Sequence, residues 1–238
     1  MLHTTLFGHA VVLHPSGALE LPALRTVLIA DAHFGKSSSF RALGVPVPSG
    51  TTTENLNLLT QLLAVTLAQR IIFLGDFLHS ARAHAASTQG AIAAWRAQHA
   101  GITLTLVRGN HDAHAGDPPA ALHIDVVDEP LMLQAPEPAA AAQVVSSIRP
   151  PGPLALCHHP QRVEGAYALA GHLHPCVALK GAGRDRLRLP CFWLGDPQAS
   201  GAGVLPAFGS FTGMHPIARK PRDRVFAVAG SSVQEVPA

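Results

Sequence analysis

Five short apolar runs punctuate the chain, and each ends in residues suited to holding a metal ion. After Thr26–Ala30 comes Asp31-Ala32-His33, and after Arg70–Leu74 comes Gly75-Asp76. Ile102–Val107 leads into Gly109-Asn110-His111-Asp112, Leu154–Cys157 into His158-His159, and Ala166–Ala170 into Gly171-His172-Leu173-His174. Runs of four to six residues bounded by turn signals, with β-branched residues in the earlier ones, predict buried strands. Open α/β sheets collect ligand sites at the carboxyl ends of their strands, so the pattern predicts one site assembled from five strand ends. Alternation along a strand further predicts that Asp31 and His33, and likewise His172 and His174, project to one side.

Between the first three runs lie two helical patterns. Thr53–Gln69 places Leu56, Leu59, Leu63 and Leu67 on one face behind a Thr-rich cap region, and Ala85–Ala100 does the same with Ile92 and Trp95. After Pro130 the helical signal fades, 135–141 reads as a Pro-Ala loop, and Arg186–Trp193, Gly203–Ala207 and Arg224–Val228 read as strands. A βαβ half followed by a strand-rich half predicts two sheets packed together with helices outside. No repeat, linker or composition shift divides residues 1–238, so a single domain is expected.

Composition narrows the function classes. With 47% hydrophobic and only 13% charged residues, the chain is not of the disordered class. Cys157, Cys176 and Cys191 are odd in number and lack CxxC spacing, which argues against a disulfide framework or a zinc ribbon. There is no apolar run long enough for a membrane helix, and MLHTTLFGHAVVLHP lacks the marks of a secretory signal, so a cytoplasmic protein is expected. Net charge is +2, but Lys180, Arg184, Arg186, Arg188, Arg219, Lys220, Arg222 and Arg224 face only Asp185, Asp196 and Asp223 in their stretch. Such a segment suits backbone phosphates, with Arg219, Lys220 and Arg222 as its candidate contacts. Fifteen histidines nearly equal Lys and Arg together, and imidazole is the commonest metal ligand.

Each motif alone is as well explained by a turn or a hydrogen-bonded core histidine. Five of them in order at strand ends are not. The set Asp-x-His, Gly-Asp, Gly-Asn-His-Asp, a later His and Gly-His-x-His resembles the calcineurin-like metallophosphoesterase superfamily. Outside it, DAHFGKSSSFRALGVPVPSG, LCHHPQ, LAGHLHP, LRLPCFWLG and LPAFGSFTGM are similar to the ligase-associated DNA damage response endonuclease branch, found in bacteria beside a DNA ligase, a helicase and a nuclease.

The resemblance implies an α/β fold, the four-layer αββα sandwich of two mixed sheets flanked by helices. It also implies two metal ions, one held by Asp31, His33, Asp76 and His174, the other by Asp76, Asn110, His158 and His172. A bridging carboxylate can hold two cations about 3.5–4 Å apart, and such a pair generates a nucleophile from water at neutral pH. Mixed Asp/His/Asn ligation suits Mn²⁺, with Fe, Zn²⁺ or Co²⁺ also compatible, better than Mg²⁺. His111 would be the general acid, oriented by Asp112. His158 is preferred over His159 as the ligand because the first His after the strand usually serves in this family. Lys36, Arg41 and His159 are candidate substrate-binding residues, His79 is read as structural or supporting, and Cys157 as packing.

The implied activity is phosphodiester hydrolysis, as an endonuclease on DNA in a ligase-associated repair context. A nucleotide phosphodiesterase or pyrophosphatase is the enzymatic alternative, because little chain is left for a separate nucleic-acid-binding domain. A non-catalytic scaffold is disfavoured, since the retromer subunit of this fold lacks the catalytic histidine that this chain keeps.

Overall fold

The structure, a computed structural model, describes residues 1–47, 50–134, 150–181, 186–209 and 212–237. The 135–141 stretch, Arg184 and Asp185 lie outside the described residues. The first sheet contains β1 (Leu2–Leu6), β2 (His9–Leu13), β3 (Leu19–Leu21), β4 (Thr26–Ile29), β5 (Arg70–Leu74), β6 (Thr103–Val107) and β7 (Ile124–Val127), side by side in chain order. β1 to β4 pair antiparallel and β4 to β7 parallel. Helices α1 (Lys36–Ala42) and α2 (Thr51–Val65) join β4 to β5; α3 (Ala86–Gln98) joins β5 to β6; and α4 (Asn110–Ala115) follows β6.

The second sheet holds β8 (Leu131–Leu133), β9 (Leu154–Leu156), β10 (Tyr167–Ala170), β11 (Pro175–Lys180), β12 (Arg186–Leu194), β13 (Ala202–Val204), β14 (His215–Pro216), β15 (Arg224–Ala229) and β16 (Ser232–Val236). Its order is β14-β11-β12-β13-β10-β9-β8, with β15 paired to β12 and β16. β9, β10 and β13 are mutually parallel and the β11–β12 hairpin is antiparallel.

Period-two alternation divides the apolar side chains of the first sheet between two cores. Leu28, Ile72 and Leu74 face the second sheet and meet Leu154, Leu156, Tyr167, Leu169, Phe192 and Phe226. Val27, Ile29, Ile71 and Phe73 face outward beneath Leu56, Leu59 and Leu62 of α2 and Ile92 and Trp95 of α3. Fully burying such a side chain stabilises the fold by about 1.5–3 kcal/mol. The result is the expected sandwich of two mixed sheets flanked by helices. Every described helix precedes β7, and the outer face of the second sheet carries the small Ala155, Cys157, Ala168 and Ala170 packed with Val163, Ala166 and Ala202.

The α2 helix differs from expectation. It ends at Val65: Leu62 joins Leu56 and Leu59 in the core and Leu63 packs against it half-buried, but Leu67, expected on the same face, lies beyond the helix and is 80% exposed. The chain must leave the helix there because Gln69 and Arg70 donate to the Arg25 carbonyl to start the β4–β5 pairing. No helix of the described residues is long and apolar enough to cross a membrane.

Candidate metal centre

β4, β5 and β6 of one sheet and β9 and β10 of the other deliver their carboxyl ends to a common edge. The segment after β13 staples the two there: Leu205 donates to the Ala170 carbonyl, Phe208 to that of Ala30 and Gly209 to that of Asp31. At this edge the chain turns sharply. Among the described residues nine non-glycine residues have positive φ, and five are Asp31, His33, Asp76, His172 and His174. A left-handed residue of this kind costs on the order of 1–3 kcal/mol and persists where its surroundings hold it. Here they do: His33 N–H donates to the Asp76 carbonyl, His172 N–H to the Asp31 carboxylate, and His111 N–H to Asp76 Oδ1 at 2.9 Å. Two motif glycines permit the close approach, since a Cβ at Gly75 would lie 2.1 Å from His158 Nδ1, and one at Gly109 2.5 Å from Asp76 Oδ1.

These turns, rather than strand alternation, aim the side chains. Asp31 and His33 do converge, together with His174. His172 and His174, expected on one side, diverge: His174 Nε2 meets His33 Nε2 at 3.4 Å, while His172 Nδ1 meets His158 Nε2 at 3.1 Å. The left-handed backbone at both residues replaces the extended geometry that alternation requires.

Asp76 sits between the two groups and is 2% exposed. Its Oδ2 lies 3.7 Å from His33 Nε2 and its Oδ1 3.5 Å from His158 Nε2. His158 Nδ1 faces the Leu74 carbonyl at 3.0 Å and therefore carries the ring proton, leaving the Nε2 lone pair toward Asn110 Oδ1 at 2.8 Å. Buried His33 Nδ1 has no hydrogen-bond partner. Burial first, then Lys36 and the neighbouring imidazoles, push the His33 pKa far down; burial, His158 and His159 lower that of His172. Neutral imidazoles and buried carboxylates thus present more lone pairs than protons, an arrangement that divalent cations would satisfy. Asp31–His33–His174, Asp31–Asp76–His158, His158–His159–His172 and His33–His79–His111 each bring ligand atoms within 4.8 Å of one another.

No family model and no curated protein matches the chain. Among solved structures, Pseudomonas putida nuclease MPE superposes with a TM-score of 0.79 at 36% identity, over 99% of each chain. The chain belongs to the calcineurin-like metallophosphoesterases, in the ligase-associated DNA damage response endonuclease branch. A protein of unknown function from Aquifex aeolicus aligns over 67% of this chain and 82% of that one at 18% identity with a TM-score of 0.42, too distant to bear on the site.

Around the centre, this metallophosphoesterase departs from the expected supporting cast. Asp112 does not orient His111. It is fully buried, with Oδ1 accepting the Leu78 N–H at 3.1 Å and Oδ2 the Gly109 N–H at 3.0 Å. The otherwise unsatisfied N–H at the start of α4 captures the carboxylate. Burial pushes the Asp112 pKa up to about 6 against the pull of those two bonds. His111 Nδ1 instead donates to the His79 carbonyl at 2.7 Å, and its ring stacks on that of His79, which stacks in turn on Phe40. Burial, Lys36 and His111 lower the His79 pKa to about 4.

Lys36 belongs to this edge: burial lowers its pKa while Asp31 and Asp76 pull it back up. Arg41 is exposed and bonds the Ser38 hydroxyl at 3.3 Å, on another side of α1. Of the two adjacent histidines, His158 is wholly buried in the cluster, whereas His159 is exposed and donates from Nδ1 to Glu129 at 2.8 Å. Glu129 also accepts the His158 and His159 N–H groups, at 2.6 and 2.9 Å. Burial would raise its pKa, but the bonds from His159 and His158 bring it below the usual range. Neither Glu129 nor Phe40 stands at a telling spacing, and nothing in the sequence singles them out. Cys157 is buried and packs with Ala155 and Ala168, and burial raises its pKa to about 11.

The basic stretch is partly spent on the fold. Arg219 donates to the carbonyls of Asp223, Val236 and Pro237, and Arg224 to Glu235, Thr4 and the Thr5 carbonyl. Arg222 lies 3.8 Å from Asp196. Arg219 is therefore corrected from a candidate phosphate contact to a clamp on the C-terminal strand.

Proposed function

We propose that this protein is a metal-dependent phosphodiesterase that cleaves DNA, with residues 1–238 acting as one domain. The observation that carries this reading is the division of the Asp76 carboxylate, one oxygen toward His33 and the other toward His158. It supports two cation sites, the first formed by Asp31, His33, Asp76 and His174 and the second by Asp76, Asn110, His158 and His172. Two divalent ions bound there, with Mn²⁺ favoured by the mixed donor set, would activate water and draw charge from the phosphoryl oxygens.

The chain's own residues supply the rest. The His79 carbonyl fixes the Nδ1 proton of His111, so the ring turns Nε2, 3.9 Å from Asp76 Oδ2, toward the open side of the centre. From there His111 protonates the departing ester oxygen, a contribution worth about 10²–10⁴ in rate. Lys36 offers a positive charge to the phosphate, and His159, held by Glu129, forms the opposite wall. Likeness to a nuclease over the full chain favours DNA over a small nucleotide, and the branch favours a role alongside a DNA ligase and helicase in repair.

Turnover of single- and double-stranded oligonucleotides, bis-p-nitrophenyl phosphate and cyclic nucleotides with added Mn²⁺ tests the reading. DNA cleavage is expected, abolished by chelation. Cleavage of cyclic nucleotides with none of DNA would replace it by the nucleotide-hydrolase reading.

A further inference from the structure

To protonate a departing oxygen, His111 must hold its Nε2 in one direction, yet its side chain is 38% exposed. The hydrogen bond from Nδ1 to the His79 carbonyl fixes the tautomer, but a ring pinned at one atom still pivots about it. The neighbouring rings decide the rest. His33 meets His111 edge-on, with centroids 5.0 Å apart and planes at 88°, and His79 lies face to face with it at 5.0 Å and 23°. Both separations are in the range that aromatic pairs favour.

His79 can steady His111 only if its own plane is fixed. Its backbone is fixed, since the His79 N–H donates to the Phe34 carbonyl at 3.1 Å. Its ring is not held through Nδ1, which is buried with no hydrogen-bond partner among the described residues. The other ring stacked on it is Phe40, at 5.9 Å and 18°, so Phe40, His79 and His111 form a run of three near-parallel rings that ends on the acid. Phe40 stands half-buried on α1, and α1 is tied to the His79 loop: the Ser39 hydroxyl meets that of Ser80 at 2.8 Å. Lys36 lies one helical turn before Phe40 on the same face of α1. One short helix thus reaches the centre with a charge and with a ring.

We propose that Phe40 is a positioning residue for His111: by holding the plane of the His79 ring it keeps Nε2 of the acid aimed at the departing oxygen, without touching substrate itself. The proposal rests on the reading of His111 as general acid for its consequence, and on the stack alone for the coupling. Kinetics test the consequence in the full-length, Mn²⁺-loaded protein. Phe40→Leu should lower kcat for an oligonucleotide about tenfold with KM unchanged, a fraction of what general acid catalysis contributes, while turnover of bis-p-nitrophenyl phosphate, whose leaving group needs no proton, stays within about twofold. Phe40→Tyr keeps the ring and should rescue the oligonucleotide rate. In a His111→Ala background, Phe40→Leu should cost nothing further, because its effect passes through the missing ring. Equal losses on both substrates would reduce Phe40 to packing, and a loss that persists without His111 would mean that Phe40 meets the strand directly; either result overturns the proposal. The coupling is read separately by NMR, with diamagnetic Zn²⁺ in place of Mn²⁺. The carbon-bound ring protons of His111, shielded by the His79 face in the wild type, should move toward their free-histidine positions in Phe40→Leu and return in Phe40→Tyr. Unmoved protons would remove Phe40 from the positioning of His111. A wild type inert toward DNA, or a His111→Ala variant that loses equally on both substrates, would sink the general acid reading instead, and the ring protons would still decide whether Phe40 holds His111.

Discussion

The metal-bearing edge and the basic stretch from Lys180 to Arg224 are the two most chemically loaded regions of the sequence, and they fold to different ends. At the edge, parallel strands from both sheets stop together, so residues more than a hundred positions apart meet within hydrogen-bonding reach, as Asp31 and His172 do. The basic stretch runs through short strands and turns of the second sheet, where charges scatter and several take acceptors that hold the fold. Arg219 binds C-terminal carbonyls and Arg224 binds Glu235. Arg186 and Arg188 are exposed on β12. Topology can gather side chains into a site, whereas local charge excess does not by itself make a surface for a ligand.

The largest effect expected from breaking the first region is at Asp76. Asp76→Ala should reduce turnover to background, because the carboxylate with one oxygen toward each group is gone; substantial residual activity would mean the two groups work independently. Next comes His111→Ala, which should keep its metal yet lose about 10²–10⁴ in rate. The loss should be greater for alkoxide than for p-nitrophenolate leaving groups, and equal losses would make His111 a positioning group instead. In the second region, Arg219→Ala should lower stability by about 1.5–3 kcal/mol, the range for hydrogen bonds from a charged group, while DNA affinity stays unchanged. A normal melting temperature with weakened DNA binding would restore Arg219 to the substrate path. The smallest change expected is for Arg186→Gln with Arg188→Gln: if these exposed groups touch a strand, the salt slope falls by about 0.7–0.9 per contact, and an unchanged slope removes this pair from recognition.

Much of this edge was legible in the sequence because strand ends and motif spacing carry topological information. Arg70–Leu74 is β5 as read, and α3 buries Ile92 and Trp95 as expected. The short α1, in a Ser-rich stretch, escaped because it shows no apolar period. The antiparallel β1–β3 were also missed, lying outside the βαβ pattern. Within the site, what failed was everything decided by backbone rather than residue type. Asp112 looked like the partner of His111, yet a helix start claims the carboxylate and a carbonyl takes its place. Alternation predicted that His172 and His174 would act together, but positive φ at each sends them to different groups. Glu129 bonds both His158 and His159 through three-dimensional proximity that no spacing encodes.

The central claim is that Asp76 joins two cation sites, and crystals of the wild-type protein soaked in Mn²⁺ test it most directly through anomalous scattering. Two peaks should flank the Asp76 carboxylate, one among Asp31, His33 and His174 and the other among Asn110, His158 and His172. A single peak, or one seated instead among His33, His79 and His111, would contradict the account.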